Sequence, residues 1–184
     1  METTPNFHLR PATEADIPAL RLLIERSVRE LQTGEYTEAQ REGALGFAFG
    51  VDTQLLADRT YFVAETPTGE LAGCGGWSKR LTLFGADHGP GREAALLDPA
   101  VDAAKIRAIF VHPAWARRGL GSLILAHCEH AAQAAGFTRF EMGSTLTGAP
   151  LYALKGYRET ERVEVPLPNG AVLPILRMEK TQAR

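Results

Sequence analysis

Residues 117–121 read Arg117-Arg118-Gly119-Leu120-Gly121, with Ser122 next. Glycines at two of these positions let a backbone approach a ligand with no Cβ between them, and each guanidinium presents a planar fork of donors suited to phosphate oxygens. Ahead of them Ile106, Ile109, Phe110 and Val111 form a β-branched and aromatic run that Pro113 ends, which predicts a strand stopping near His112. Behind them apolar or small residues recur at Leu123, Ile124, His127, Cys128, Ala131 and Ala135 before Gly136, the period of a helix with one buried face and a left-handed stop. About 17 residues at 1.5 Å each give a helix of roughly 25 Å. The basic and glycine residues therefore sit where a helix begins with unbonded N–H groups and partial positive charge, which suits a diphosphate. Spacing separates this turn from two other phosphate loops: a dinucleotide fingerprint needs a third glycine where Ile124 stands, and no Gly-Lys-Ser/Thr is present for a triphosphate loop.

A second segment, Ser144-Thr-Leu-Thr-Gly-Ala-Pro-Leu-Tyr-Ala-Leu-Lys-Gly-Tyr157, follows about thirty residues later. Val-His-Pro, the basic turn, Arg-Arg-Gly-Leu-Gly and a helix, followed by this segment, resemble the acetyl-CoA-binding motifs of the Gcn5-related N-acetyltransferase (GNAT) family. Two positions depart from the family pattern. Ala116 stands where Gln or Arg is usual, which removes one side-chain donor, and Thr147 stands where Asn is frequent. The resemblance implies that Arg117, Arg118, Gly119, Leu120, Gly121 and Ser122 hold the diphosphate of acetyl-CoA as co-substrate. It implies that the backbones of Phe110 and Val111 line the pantetheine and thioester, that Thr147 meets the pantetheine arm, and that Tyr152 faces the sulfur as catalytic donor. Many family members carry a glutamate base on the central strand. This chain has none between Lys105 and Val111, so a side chain and a water chain both stay open as the base.

Length and composition bound the partners. A chain of 184 residues, 45% apolar, can close one sizeable core, so residues 1–184 read as one domain. The formal charge of −2 is not that of a chain whose main partner is nucleic acid or an anionic membrane. No window of about 20 apolar residues occurs, and residues 1–5 carry no basic segment leading into an apolar one. Cys74 and Cys128 lie in apolar-patterned runs and read as reduced core residues, which points to the cytoplasm.

The remaining elements supply the frame. A strand over 7–10 precedes an acid-rich cap at Thr13 and a helix whose stripe Ile17, Leu20, Leu23, Ile24, Val28 and Leu31 ends before Gly34. Thr37 with Gln40 three residues on predicts a second helix to about residue 49, and a turn of helix follows at 53–58. Strands over 61–65 and 71–77 flank the hairpin turn Thr-Pro-Thr-Gly-Glu. Residues 80–104, broken by Gly85, Gly89, Pro90, Gly91 and Pro99, read as a long loop beside the site. Strands over 139–143, 157–165 and 172–178 close the chain, the last two joined across Pro168-Asn169-Gly170. This order fits an α+β, mixed α/β fold. The family resemblance makes it a mostly antiparallel central sheet flanked by helices on both faces.

Other residues invite chemical readings and are given structural ones. His127-Cys128-Glu129-His130 lacks a third ligand on the face shared by the two histidines, and no metal is expected. His88 reads as an exposed loop residue, His112 as part of the strand end, and Glu141 as an ion-pair partner. Charge is uneven: Lys105, Arg107, Arg117 and Arg118 make residues 105–118 +4, whereas five acids (Glu35, Glu38, Glu42, Asp52, Asp58) against Arg41 and Arg59 make residues 35–59 −3. That asymmetry predicts an acceptor carrying positive charge besides its reacting amine. The reading as a whole is an N-acetyltransferase for a primary amine, probed against two other classes: a non-catalytic acyl-CoA-binding or sensing domain, and a nucleotide-diphosphate-binding module. The acceptor is read as a small molecule, and the oligomeric state is open, a homodimer included.

Overall fold

Strand-forming and helix-forming runs alternate along the chain, and their order decides where the sheet can be opened. In a computed structural model, which describes residues 6–182, seven strands form one sheet: β1 (His8–Pro11), β2 (Tyr61–Glu65), β3 (Leu71–Ser78), β4 (Ala104–Val111), β5 (Arg139–Thr145), β6 (Arg158–Pro166) and β7 (Val172–Thr181). They lie in the order β1-β2-β3-β4-β5-β7-β6. All neighbours run antiparallel except β4 and β5, which are parallel and paired only at Ala104↔Phe140 and Lys105↔Glu141. Parallel neighbours need a crossover, and α4 (Leu120–Ala134) supplies it. The other helices are α1 (Ile17–Leu31), α2 (Glu38–Ala44), α3 (Thr53–Ala57) and α5 (Ala149–Leu154). Residues 1–5, expected to carry no targeting segment, lie outside the described residues.

Side-chain alternation puts a core on each face. Tyr61, Val63, Cys74, Phe110, Leu173 and Ile175 pack with Leu20, Leu23, Ile24 and Val28 of α1. Phe62, Ala64, Ala72, Ile106, Phe140 and Met178 pack with Leu120, Ile124, Leu125 and Cys128 of α4. The α4 side depends on a glycine track in β3. A Cβ on Gly73 would come within 2.8 Å of Ile124 Cδ1, and one on Gly75 within 2.5 Å of Ile124 Cγ2. Residues two apart share a strand face, so α4 lies on bare backbone there and Ile124 is buried in the gap.

Several strands run a few residues longer than expected, β7 to Thr181, and two helices are shorter. The helix expected to reach about residue 49 stops at Ala44: Leu45 is extended, Gly46 turns left-handed at φ 78°, and Gly46 N–H bonds Phe49 O at 2.7 Å. The chain folds back through this turn instead of extending the helix. The long helix holds 15 residues, with Gly136 at φ 96° after it as the stop expected from sequence.

The uneven charge does not survive folding as a surface field. Lys105 is buried against Glu141, which Arg177 also reaches, and Arg107 is buried with its Nη2 2.7 Å from Asp52 Oδ2. On the acidic side Asp52 also takes Arg92, Asp58 takes Arg80 and Glu42 takes Arg29. Of the four basic residues, Arg117 and Arg118 alone are exposed, so the reason for expecting a cationic acceptor is withdrawn. What the buried arginine does is anchor the long loop. It donates to Thr82 O at 3.0 Å and Gly85 O at 2.7 Å, while Arg92 reaches Ala86 O at 2.9 Å.

Replacing Arg107 by methionine keeps the volume but leaves Asp52 buried with Arg92 as its remaining ion-pair partner. Breaking such a pair should lower stability by about 3–5 kcal/mol, read as a shifted midpoint in urea unfolding. A loss below about 1 kcal/mol would show that the network does not anchor the loop.

Candidate active site

The β4–β5 ladder ends after two residue pairs, and beyond it the strands part. A cavity of about 200 Å³ occupies the gap, lined by Ile106 to Val111 of β4 and Met142 to Thr145 of β5. It takes walls from both faces of the sheet. From the α4 side come Gly121, Leu151 and Tyr152, and from the α1 side Ser27, Gln32, Phe49 and Phe84. A channel through the sheet is the result.

A bulge aims the β4 backbone into this gap. Cys74 pairs with Phe110 and Gly76 with Arg107, so Ala108 and Ile109 together oppose Gly75 alone. Ala108 takes the left-handed conformation at φ 51°, a strained state for a residue with a Cβ, and its carbonyl faces the Tyr61 hydroxyl at 3.4 Å. Gly75 is required opposite the bulge, because a Cβ there would sit 2.8 Å from Ile109 Cγ1. Past Lys105 the β5-facing edge of β4 has no ladder partner on β5, and this stretch of backbone lines the cavity.

The basic turn lies at the N-terminus of α4, and of its residues Gly121 lines the cavity. Arg117 is left-handed at φ 62°, Gly119 at φ 81°, and α4 begins at Leu120. The first helical amide that bonds back is Leu123, to Gly119 O at 3.0 Å. The amides of Leu120, Gly121 and Ser122 lie ahead of it in the first turn, where helix N–H groups have no intrahelical acceptor. A Cβ on Gly119 would meet nothing within 4 Å, so the space over the turn is open. Arg118 stacks on Trp115, 5.3 Å from its ring centroid, and Arg117 is exposed. The Leu120 side chain is buried in the core, which leaves its amide as the part that can meet a ligand.

Of the residues singled out from sequence, Phe110, Val111, Gly121, Thr147 and Tyr152 line the cavity. Arg117, Arg118, Gly119, Leu120 and Ser122 stand at the helix start beside it. The Phe110 ring packs in the α1-side core, 6.1 Å from the Phe49 ring. Tyr152 is buried, edge-on to Tyr157 at 6.0 Å, and the backbone of Gly148 presses on its ring so closely that a Cβ there would be 2.9 Å from Cε2. Burial pushes its phenol well above the ordinary range, so it keeps its proton at neutral pH. The two motifs, remote in sequence, touch here: a Cβ on Gly121 would be 3.2 Å from Leu151.

The residues given structural readings occupy such places. His112 Nδ1 accepts from Ala114 N–H at 3.2 Å and Nε2 lies 3.0 Å from Arg26, while Glu129 takes Lys180 and the Tyr157 hydroxyl. His127 stacks edge-on against Phe62, and among the described residues no group of three His, Cys, Asp or Glu could hold a metal ion. Cys74 and Cys128 are free and buried. Sequence reasoning missed Ser27 and Gln32. Ser27 carried a signal, a polar residue on the buried stripe of α1; Gln32, one residue past that helix, carried none.

The comparisons with known proteins agree with this geometry. No curated protein matches the chain by sequence. Among solved structures, a GCN5-related N-acetyltransferase from Rhodopseudomonas palustris is similar at a TM-score of 0.71 and 23% identity, covering 98% of each chain. PaiA N-acetyltransferase from Thermoplasma acidophilum, solved with coenzyme A, is similar at TM-score 0.63 and 12% identity, over 96% of this chain and 99% of that one. YncA from Salmonella typhimurium, solved with acetyl-CoA, is similar at TM-score 0.63 and 20% identity, over 97% and 95%. At these identities the likeness concerns the fold. The sequence model of the acetyltransferase (GNAT) family matches residues 25–155, more than half of the chain, with the basic turn and all but the last two residues of the second motif, and by that match the chain belongs to the acetyltransferase (GNAT) family.

Proposed function

We propose that residues 1–184 form one acyltransferase domain that moves the acetyl group of acetyl-CoA to the primary amine of a small molecule, in the cytoplasm. The observation that carries the reading is the channel between β4 and β5, with a helix N-terminus at one mouth and Tyr152 in its wall. Acetyl-CoA supplies the activated acyl group. The amides of Gly119, Leu120, Gly121 and Ser122, with the Arg117 and Arg118 guanidinium groups, hold its diphosphate, since charge-assisted donors at a helix start favour an anion. The free edge of β4 at Phe110 and Val111 accepts the pantetheine as a strand would be accepted. Thr147, exposed at the start of the second motif, meets the same arm from the other side.

The reaction forms a C–N bond and breaks a C–S bond, and the proton lost by nitrogen is matched by one gained by sulfur. It requires a neutral amine, donors for charge gathering on the acyl oxygen, and an acid for the departing sulfur. Tyr152 fills the last role: its phenol is protonated, lines the channel, and is fixed by Gly148 and Tyr157. The bulge at Ala108 turns adjacent β4 amides toward the gap, where they serve the acyl oxygen.

Two substitutions test the reading. CoA should raise the melting temperature of the wild-type chain but not of Gly119→Glu, which places negative charge over the turn; comparing each protein with and without CoA cancels any strain the new residue brings. Equal protection in both would remove the diphosphate assignment. Tyr152→Phe preserves the ring and should lower turnover about 100-fold to 10,000-fold with the CoA dissociation constant nearly unchanged. Unchanged turnover would return Tyr152 to the core.

A further inference from the structure

We infer that Gln32 receives the nitrogen of the acceptor, and that the acceptor is an amine with an uncharged, aromatic or aliphatic body that attacks without a side-chain base. The inference rests on the acetyl-transfer reading and adds to it the chemistry of the second substrate. The α1-side end of the channel is apolar: Leu31, Ala48, Phe49, Leu83, Phe84 and Ile175 make its walls. Ser27 and Gln32 are the uncharged polar side chains added to it from α1 and its C-terminal cap. Gln32 is only 5% exposed, and its Oε1 is buried with no hydrogen-bond partner among the described residues. A buried carboxamide oxygen left unpaired is unfavourable and uncommon, and it marks a position that a ligand can satisfy. As placed that oxygen is closed off from the channel; rotation about the last side-chain torsion exchanges the two ends of the amide and turns the oxygen toward an arriving donor.

The charges around the channel select the rest of the acceptor. None of the described residues lining it is Asp, Glu or His; the titratable groups that do are Arg107 and Tyr152. Arg107 is engaged with Asp52, Thr82 O and Gly85 O and offers no open fork to an acceptor carboxylate. A second ammonium on the acceptor would find no carboxylate in the walls, and a buried unpaired charge is strongly disfavoured. Phe49 and Phe84 instead suit an aromatic or aliphatic body. The same surroundings explain how the amine loses its proton with no base beside it. Desolvation favours the neutral amine, and the Gln32 oxygen accepts one N–H while leaving the lone pair free, without the bias toward ammonium that a carboxylate would bring.

The test uses 2-phenylethylamine, putrescine and β-alanine as acceptors with acetyl-CoA, and calorimetric titration of 2-phenylethylamine into CoA-loaded protein. 2-Phenylethylamine should have the highest kcat/KM by at least about tenfold. Gln32→Leu should weaken its binding to the CoA-loaded protein about tenfold with CoA affinity unchanged. Gln32→Glu should bind it at least as tightly at neutral pH, yet turn it over more slowly and with a pH profile moved to the alkaline side, because the carboxylate holds the ammonium form. Preference for putrescine or β-alanine, or wild-type binding in Gln32→Leu, overturns the inference. If no amine is acetylated but the calorimetric differences appear, the acetyl-transfer reading fails while the Gln32 site stands.

Discussion

The site depends on a ladder that stops. β4 and β5 share two paired positions and then separate, and in a sheet otherwise continuous from β1 to β6 this is where backbone donors and acceptors face a cavity. Unpaired strand edges inside a protein are unfavourable unless something satisfies them. The surrounding structure keeps the gap from closing. Lys105, Glu141 and Arg177 lock the end where the strands still touch, the Ala108 bulge bends β4 away, and Gly143 on β5 packs against Phe84, where a Cβ would meet Cδ1 at 3.1 Å. A glycine track on β3 brings α4 down far enough for its first turn to reach the mouth.

Buried charge in this molecule serves position more than stability. A buried ion pair is often no better than an apolar pair of the same volume, whereas breaking one is costly. Arg107 shows the use of that asymmetry: Asp52 caps α3, Arg107 belongs to β4, and the carbonyls of Thr82 and Gly85 belong to the long loop, so one guanidinium fixes three separate segments around the channel. Tyr36 does similar work at the α1 end, where its hydroxyl donates to Pro174 O and accepts from Leu146 N–H, each at 2.8 Å. The apolar walls that distinguish the acceptor end are thus held by polar groups behind them.

Local chemistry made much of the frame legible. Pro113 ended the strand, Gly136 stopped the helix, Thr37 with Gln40 formed a capping box, and Asn169-Gly170 made the last turn. What stayed hidden depends on contacts remote in sequence. Nothing in the run 105–111 signals that Lys105 and Arg107 point into buried carboxylates, so a charge count along the chain gave a false surface field. The Ala108 bulge is accommodated by Gly75 opposite, and Gln32 gains meaning only with the cavity walls that β5 and the long loop supply. The helix expected to reach residue 49 failed because Gly46 could supply the left-handed turn that lets Phe49 and Gly50 line the channel.

The proposed path of the acyl carrier runs between the parted strands. Backbone amide chemical shifts followed by nuclear magnetic resonance during titration with CoA, and separately with ADP, test it directly. ADP should move the amides of Arg118 to Ser122 alone, whereas CoA should move these and also the amides of Ile109 to Val111 on β4. Shifts confined to the helix start with both ligands, or absent from it with CoA, would mean that the carrier does not pass between β4 and β5.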